Sequence, residues 1–471
     1  MPPDPLRRGV IGGAGALVIY ALQFGIGIGV QVQLGRLLGP AVFGGFAVAV
    51  VCLNLVVTLG YVHADRYAIA QSDDFAAALA CGISLELLWT ALLVTAGVGS
   101  AFLLPRFGFD ASLVLPTQIL LFGAFLAPMS RIRATLEKQL SFAAARLPSL
   151  VAQAAGGVVG LAAAVAWGGV PALIAWKLSV LTLEAAGLWW VSPVRIRPRL
   201  DPALARRIVR FGAPLMGAAV LAYAYSNADY YVVGALLSSE DLGEYFFAFQ
   251  ATAFALAFRS VLNAVLLPMW ANDRSRGDDA ILRSYPVVAC AMTVIYMVPT
   301  TILFAFSSEV VSLLFGAEWT RLDRLLPPLM LLTAMRAVGA LWDPIVMVGN
   351  VTPVLLRVTL IRVVLAPALI VVGVFLAGLL GAAVGALVAY AITMPIVAYG
   401  VGRRYSLSYE RPLILWLAYV LALGLIGLVT AAELTVWARL GAVLLANSTG
   451  LVALWRWFPY EFQRLGTLNG R

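Results

Sequence analysis

Apolar runs of about 20 residues or more recur along the chain, separated by short polar stretches that hold most of its arginines. A bilayer core of about 30 Å takes roughly 20 apolar residues per helix. Backbone polar groups in lipid must be satisfied within each helix, so an all-α bundle is the expected form. The runs predict fourteen membrane helices, near residues 10–33, 43–62, 75–104, 111–130, 148–168, 170–191, 211–236, 245–269, 286–306, 325–348, 355–377, 380–400, 412–431 and 436–455. The first is too long for a cleaved signal segment and reads as a retained helix. The third has length to tilt or extend beyond the bilayer. No connection is long enough to fold as a domain, so function is expected inside the membrane or on its faces.

Charge orients these helices. With the N-terminus placed inside, 23 of the 32 Lys and Arg residues fall on inner loops. The outer side keeps Arg36, Arg106, Arg321, Arg324 and Arg439. This bias predicts a multi-pass protein of the cytoplasmic membrane with both termini cytoplasmic. The net charge of +9 is thus a topology signal and does not point to nucleic acid. Trp189, Trp190, Trp270, Trp416 and Trp455 fall at inner helix ends, and Trp167, Trp319 and Trp437 at outer ends, as interfacial aromatics do. The longest basic stretch, SPVRIRPRLDPALARRIVR at 192–210, holds six arginines and reads as a joint that touches anionic headgroups.

Composition narrows the chemistry. The chain is 62% hydrophobic and 12% charged over 471 residues. Cys52, Cys81 and Cys290 sit singly in separate apolar runs, so neither a disulfide framework nor a metal spacing can be built from them. His63 is the only histidine. No metal site or cofactor is expected. No nucleophile, base and orienting group stand together in the sequence, which argues against an enzyme.

An internal repeat supports the joint. LGRLLGPAVFGGF at 34–46 matches VGALLSSEDLGEY at 233–245 with an offset of 199, pairing Gly35 with Gly234, Gly44 with Gly243 and Phe46 with Tyr245. Three parts follow: a six-helix bundle over 1–200, a second over 201–405, and helices 13 and 14 with a tail over 406–471. An even number of helices per half makes the two halves parallel repeats about the membrane normal.

The stretches QVQLGRLLGPAVFGGFAVA and FGAPLMGAAVLAYAYSNADYYVVGALLSSEDLGEYFFAFQ resemble the opening segments of the two halves of polysaccharide flippases. These flippases move O-antigen and other lipid-linked oligosaccharides. They belong, with the multidrug and toxic-compound (MATE) antiporters, to the MOP exporter superfamily. The resemblance implies a MATE-like fold and the flipping of a polyprenyl-diphosphate-linked oligosaccharide by alternating access, for export of a polysaccharide such as lipopolysaccharide. Its implied partners are that lipid-linked glycan, membrane lipids, H⁺ or Na⁺ as a coupling ion, and other polysaccharide-assembly proteins. A MATE-type cation antiporter is the alternative, and a membrane-embedded glycan polymerase or ligase a further one.

Ionisable residues inside helices are the candidate site. Each costs about 2.5–3.5 kcal/mol at the bilayer centre, so it must face protein or a wet cavity. Eight are found: Glu86, Lys177, Glu184, Asp229, Arg259, Arg336, Asp343 and Arg362. Arg36 joins them at the outer end of helix 1, within the family-like motif. Arginine binds phosphate through paired donors, so Arg36, Arg259, Arg336 and Arg362, with Asp229, are the cavity candidates. Glu86, Lys177, Glu184 and Asp343 are expected to serve as charge pairs or coupling groups. Tyr223, Tyr225, Tyr230 and Tyr231 crowd helix 7 and offer faces for sugar rings or for packing.

Overall fold

The computed structural model describes residues 5–252, 280–342, 345 and 352–458, apart from 72–73, 140, 194–196, 198, 317, 406–409 and 434. The described backbone is helical, and ten stretches are long and apolar enough to cross a membrane. Two of these, 18–69 and 356–400, each hold two of the predicted helices. Predicted helix 8 lies mostly outside the described residues, at 253–269. The contacts divide the chain into one compact unit of Met1–Phe247 with Phe315–Trp319, and another of Ala248–Leu314 with Thr320–Arg471.

The first unit opens on α1, Pro5–Gly60, whose two arms meet at Gly39 (φ 73°, ψ 171°). Pro40 starts the second arm, where a missing N–H costs nothing and the ring presets φ. Predicted helices 1 and 2 are these arms. The chain breaks again at Tyr61–His63, with His63 at φ 59°, and resumes as α2, Ala64–Gln71. The α3 helix, Phe75–Ala101, starts under Asp74, whose side chain accepts from the Ala77 N–H at 3.0 Å. Predicted helix 4 is not one regular helix. It runs as α4 (Val114–Leu121), two 3₁₀ turns, and α5 (Arg133–Lys138), with Pro128 opening the second turn.

Helices α6 (Phe142–Ala166) and α7 (Gly169–Val191) form a hairpin turned by Gly168 (φ 66°) and Gly169 (φ 63°). Small residues let their backbones approach, as suits association in lipid, where close packing replaces the hydrophobic drive. A Cβ on Gly160 would lie 2.6 Å from Trp176, and one on Gly187 would lie 3.0 Å from Pro148.

The α8 helix, Pro202–Ser226, begins earlier than the apolar run predicts. Asp201 caps it, accepting from the Ala203 and Leu204 N–H groups at 2.9 and 3.2 Å, and Pro202 takes the first helical position. The second part of the arginine-rich stretch is therefore helix and not loop. It exposes Arg206, Arg207 and Arg210 while Ile208 enters a core with Ala64, Leu79 and Ile132. After Asn227 the chain continues as α9, Ala228–Leu236, and α10, which starts at residue 239.

The second unit holds α11 (Ala280–Leu314), with non-helical dihedrals at Phe306, and α12 (Leu322–Gly339). Next comes α13 (Thr352–Tyr405), folded into two arms at Ala377 and Gly378. A Cβ on either Gly373 or Gly381 would overlap the other's carbonyl oxygen, so the arms cross backbone to backbone. The last helices are α14 (Glu410–Ala431) and α15 (Val436–Trp457). They pack on α11 in a core that includes Tyr285, Met297, Met330, Trp342, Tyr419 and Leu454. Asn447 of α15 donates to Thr301 Oγ1 at 2.9 Å.

Candidate functional site

Most of the carboxylates in the spans are matched to nearby donors. Glu86, 1% exposed, accepts from the Val62 N–H and from Arg131 Nε, both at 3.1 Å. It thereby closes the helix break at Tyr61–His63 and ties α3 to it. The Arg131 guanidinium lies 3.8 Å from the Tyr61 ring centroid, and Tyr61 donates to Asp65 at 2.9 Å. Glu184 pairs with Arg133 and accepts from Ser149 at 2.9 Å. Arg133 also donates to Ser149 at 2.9 Å and to the Ala145 carbonyl at 3.2 Å. Asp229, buried at the start of α9, accepts from the Tyr245 hydroxyl and its neighbour's N–H, both at 3.0 Å. Glu86 and Glu184 each form an ion pair with an arginine. Asp229 is held by hydrogen bonds.

The cations are placed differently. Arg36 is exposed, on the first arm of α1 just before Gly39. Lys177 is partly buried on α7, and no ion pair is formed by it among the described residues. In the second unit, Arg362 is 7% exposed, donates from Nε to Thr393 Oγ1 at 2.8 Å, and sits 4.2 Å from the Tyr390 ring centroid. Tyr390 in turn lays its hydroxyl against Gly339. Arg336, in the last turn of α12, lies 5.4 Å from the Phe249 ring centroid. Arg259 and Asp343 lie outside the described residues.

The feature that single-residue reasoning misses is an aromatic cluster in the first unit, built around the repeat. Phe43, Phe247 and Trp319 pack with ring centroids 4.5–5.9 Å apart. Phe315 lies 5.0 Å from Phe247. Beside them Phe46, Tyr230, Tyr245 and Phe246 form a second group, with Phe46 6.0 Å from Phe246 and Tyr230 5.7 Å from Phe246. The repeat glycines make room. A Cβ on Gly35 would lie 3.2 Å from both Phe247 and Trp319, and one on Gly234 would lie 3.2 Å from Phe109. Phe109 is presented by a loop that Asp110 fixes, accepting from the Ser112 N–H at 2.7 Å. That bond holds the exposed Asp110 carboxyl below its ordinary pKa.

The two repeat segments also touch each other. A Cβ on Gly44 would overlap the Ser239 carbonyl oxygen, and one on Gly243 would overlap the Pro40 carbonyl oxygen. Pro40 and Ser239 share the offset of 199, so the contact is the same on both sides of a local two-fold relation. The tyrosines divide. Tyr223 donates to the Val51 carbonyl at 2.7 Å and fastens α8 to α1, Tyr230 is buried in the cluster, and Tyr231 stays exposed.

Comparison with known proteins adds the family. Residues 33–323 match the model of the family described as polysaccharide biosynthesis protein. The probable low-salt glycan biosynthesis flippase Agl15 of Haloferax volcanii is 23% identical over 238 residues, which is 50% of this chain and 50% of that protein. The chain thus aligns with about half the length of this curated relative. The lipid II flippase MurJ in an inward closed conformation has a similar fold, with a TM-score of 0.71 and 11% identity, covering 95% of this chain and 99% of that one. An inward-facing MATE family multidrug transporter of the MOP superfamily gives a TM-score of 0.60 at 15% identity, covering 82% of this chain and 94% of that one.

Proposed function

Because the chain belongs to the polysaccharide biosynthesis protein family, we propose that it flips a polyprenyl-diphosphate-linked oligosaccharide across the cytoplasmic membrane by alternating access. The observation that carries this reading is the crossed contact at Gly44 and Gly243. Equivalent segments of two repeats meet there, under an aromatic cluster, at the end the arginine bias makes the outer one. Rocking of two related halves requires such a closure at one end while the other end admits cargo. A cargo with a diphosphate calls for arginine at the entrance and the cavity. Arg36, exposed beside Gly39, and Arg336, in the last turn of α12, are the candidates to meet cargo, whereas Arg362 supports its own helix pair through Thr393 and Tyr390. A proton or Na⁺ gradient, or the membrane potential, would drive the cycle.

The test is transport by purified protein in proteoliposomes, with a polyprenyl-diphosphate oligosaccharide in one set and a cationic dye in another. Movement of the oligosaccharide alone is expected. Movement of the dye alone would replace this reading with a drug antiporter.

A further inference from the structure

The only histidine of the chain, His63, is buried at a helix break in the first unit. The α1 helix ends at Gly60 and α2 starts at Ala64, with His63 between them in the left-handed conformation at φ 59°. Residues with a Cβ adopt this conformation seldom, so the surrounding packing must hold it. On α3, a Cβ on Gly82 would overlap the Ala64 side chain, and Glu86 accepts from the Val62 N–H. On α8, a Cβ on Gly212 would overlap the Val62 carbonyl oxygen, and Phe211 packs edge-on to Tyr67 with ring centroids 5.6 Å apart. The break is clamped between α3 and α8.

His63 is 4% exposed, and neither of its ring nitrogens makes a hydrogen bond among the described residues. Its ring packs on Tyr61 with centroids 3.9 Å apart. Phenylalanine would serve that packing without burying two polar atoms, and buried polar atoms are otherwise paired. The charged groups around the ring are Asp65 and Arg66 of α2, Arg131 from the 3₁₀ turn before α5, and Glu86 of α3 behind Arg131. Their charges cancel. Asp65 already accepts from the Tyr61 hydroxyl at 2.9 Å. Arg131 holds Glu86 and lies 3.8 Å from the same Tyr61 ring. From α8 the Leu215 carbonyl faces the imidazole. An imidazolium here would be buried beside two arginines with no carboxylate of its own. Burying a charge on those terms is costly, and the cost disappears where the ring meets water.

We propose that His63 is a proton-operated latch: as a neutral imidazole it seals the break between α1 and α2 against α8, and on taking a proton it releases α8 from that contact. A proton held only in the released form shifts the population toward that form as pH falls. The break lies at the end that the arginine bias makes the inner one, so the protons it reads are cytoplasmic. The latch does not depend on which cargo is moved.

Cys81 is a built-in reporter. It is buried in the core shared by Val62, Ala64 and Ile208, and its Sγ donates to the Asp201 carbonyl at the start of α8, at 3.6 Å. With Cys52 and Cys290 replaced by Ala and the protein in lipid nanodiscs, the rate at which Cys81 reacts with a maleimide reports how often α8 lifts. Thiols react more slowly in acid, so each rate is divided by that of H63Q at the same pH. This ratio is expected to rise about tenfold from pH 8 to pH 5.5, the latter about one unit below the ordinary imidazole value. H63F keeps the packing on Tyr61 and should show no rise; it replaces H63Q as the reference should H63Q fail to reach the membrane. A ratio that stays flat between the two pH values would overturn the proposal, whatever its level, because the imidazole would then act by packing alone. An acid rise retained in H63F would overturn it as well, since the proton would then sit elsewhere.

Discussion

Gly44 and Gly243, equivalent positions of the two repeats, face one another across a crossed contact in which each abuts the carbonyl of the other's fourth preceding residue. Neither position has space for a methyl group without movement of backbone. Overpacking of this kind costs about 1–3 kcal/mol. G44A and G243A should lower the melting temperature of the purified protein to a similar extent and reduce transport. Gly217→Ala, with nothing within 4 Å of its Cβ, is the neutral control. Unequal effects, with one variant matching the control, would argue against a symmetric closure.

The Glu86–Arg131 pair makes a separate prediction. Both partners are well shielded, at 1% and 16% side-chain exposure. Removing one partner of a buried pair costs about 3–5 kcal/mol, because the other charge is left without compensation. E86A and R131A should each cut the amount of folded protein in the membrane sharply. The double variant should be less damaging than the two losses added together, since no orphan charge remains. Strict additivity in thermal melts would show that the two act independently.

The arginines should separate by phenotype. R36A should depress oligosaccharide transport while leaving the melting temperature unchanged, as an exposed residue with a role toward cargo would. R362A should depress the melting temperature first, since it removes the bond to Thr393 and the contact with the Tyr390 ring. Normal transport by both R36A and R336A in stable protein would exclude a cationic path through these two positions.

The loop arginines fix an expected topology. In a cysteine-free background, S238C and S275C should label with impermeant reagent from opposite faces of the membrane, as the loop arginines predict. Labelling from one face would reverse the assignment of inner and outer ends.

The helices were readable because lipid imposes a length and a polarity that local sequence must obey. The charge pairs were readable only in part. Glu86 and Glu184 are visible as costly residues, but Arg131 and Arg133 sit at the helix margin and look like orientation signals, so their pairing across 45 and 51 residues has no local trace. The pairing of Arg439 with Glu309 was hidden for the same reason. An end to helix 2 near residue 62 was expected, but the carboxylate from the next helix that accepts from the Val62 N–H has no local trace. The cluster was the reverse case. Its aromatics could be read singly as interfacial residues, and only the shared offset of the glycines hinted that the two segments come together.

The hairpin of α6 and α7 bears on how the chain is built into the membrane. Arg133 leaves the ribosome well before Glu184, and Ser149 stands within the hairpin itself, so this acid enters lipid with both partners already made. Glu86 has no such provision, since Arg131 follows it by 45 residues. During synthesis Glu86 therefore has the Val62 N–H but lacks its ion-pair partner until the fourth span brings Arg131. The order of synthesis thus separates the two acids: Glu184 finds its arginine already made, and Glu86 waits 45 residues for its own.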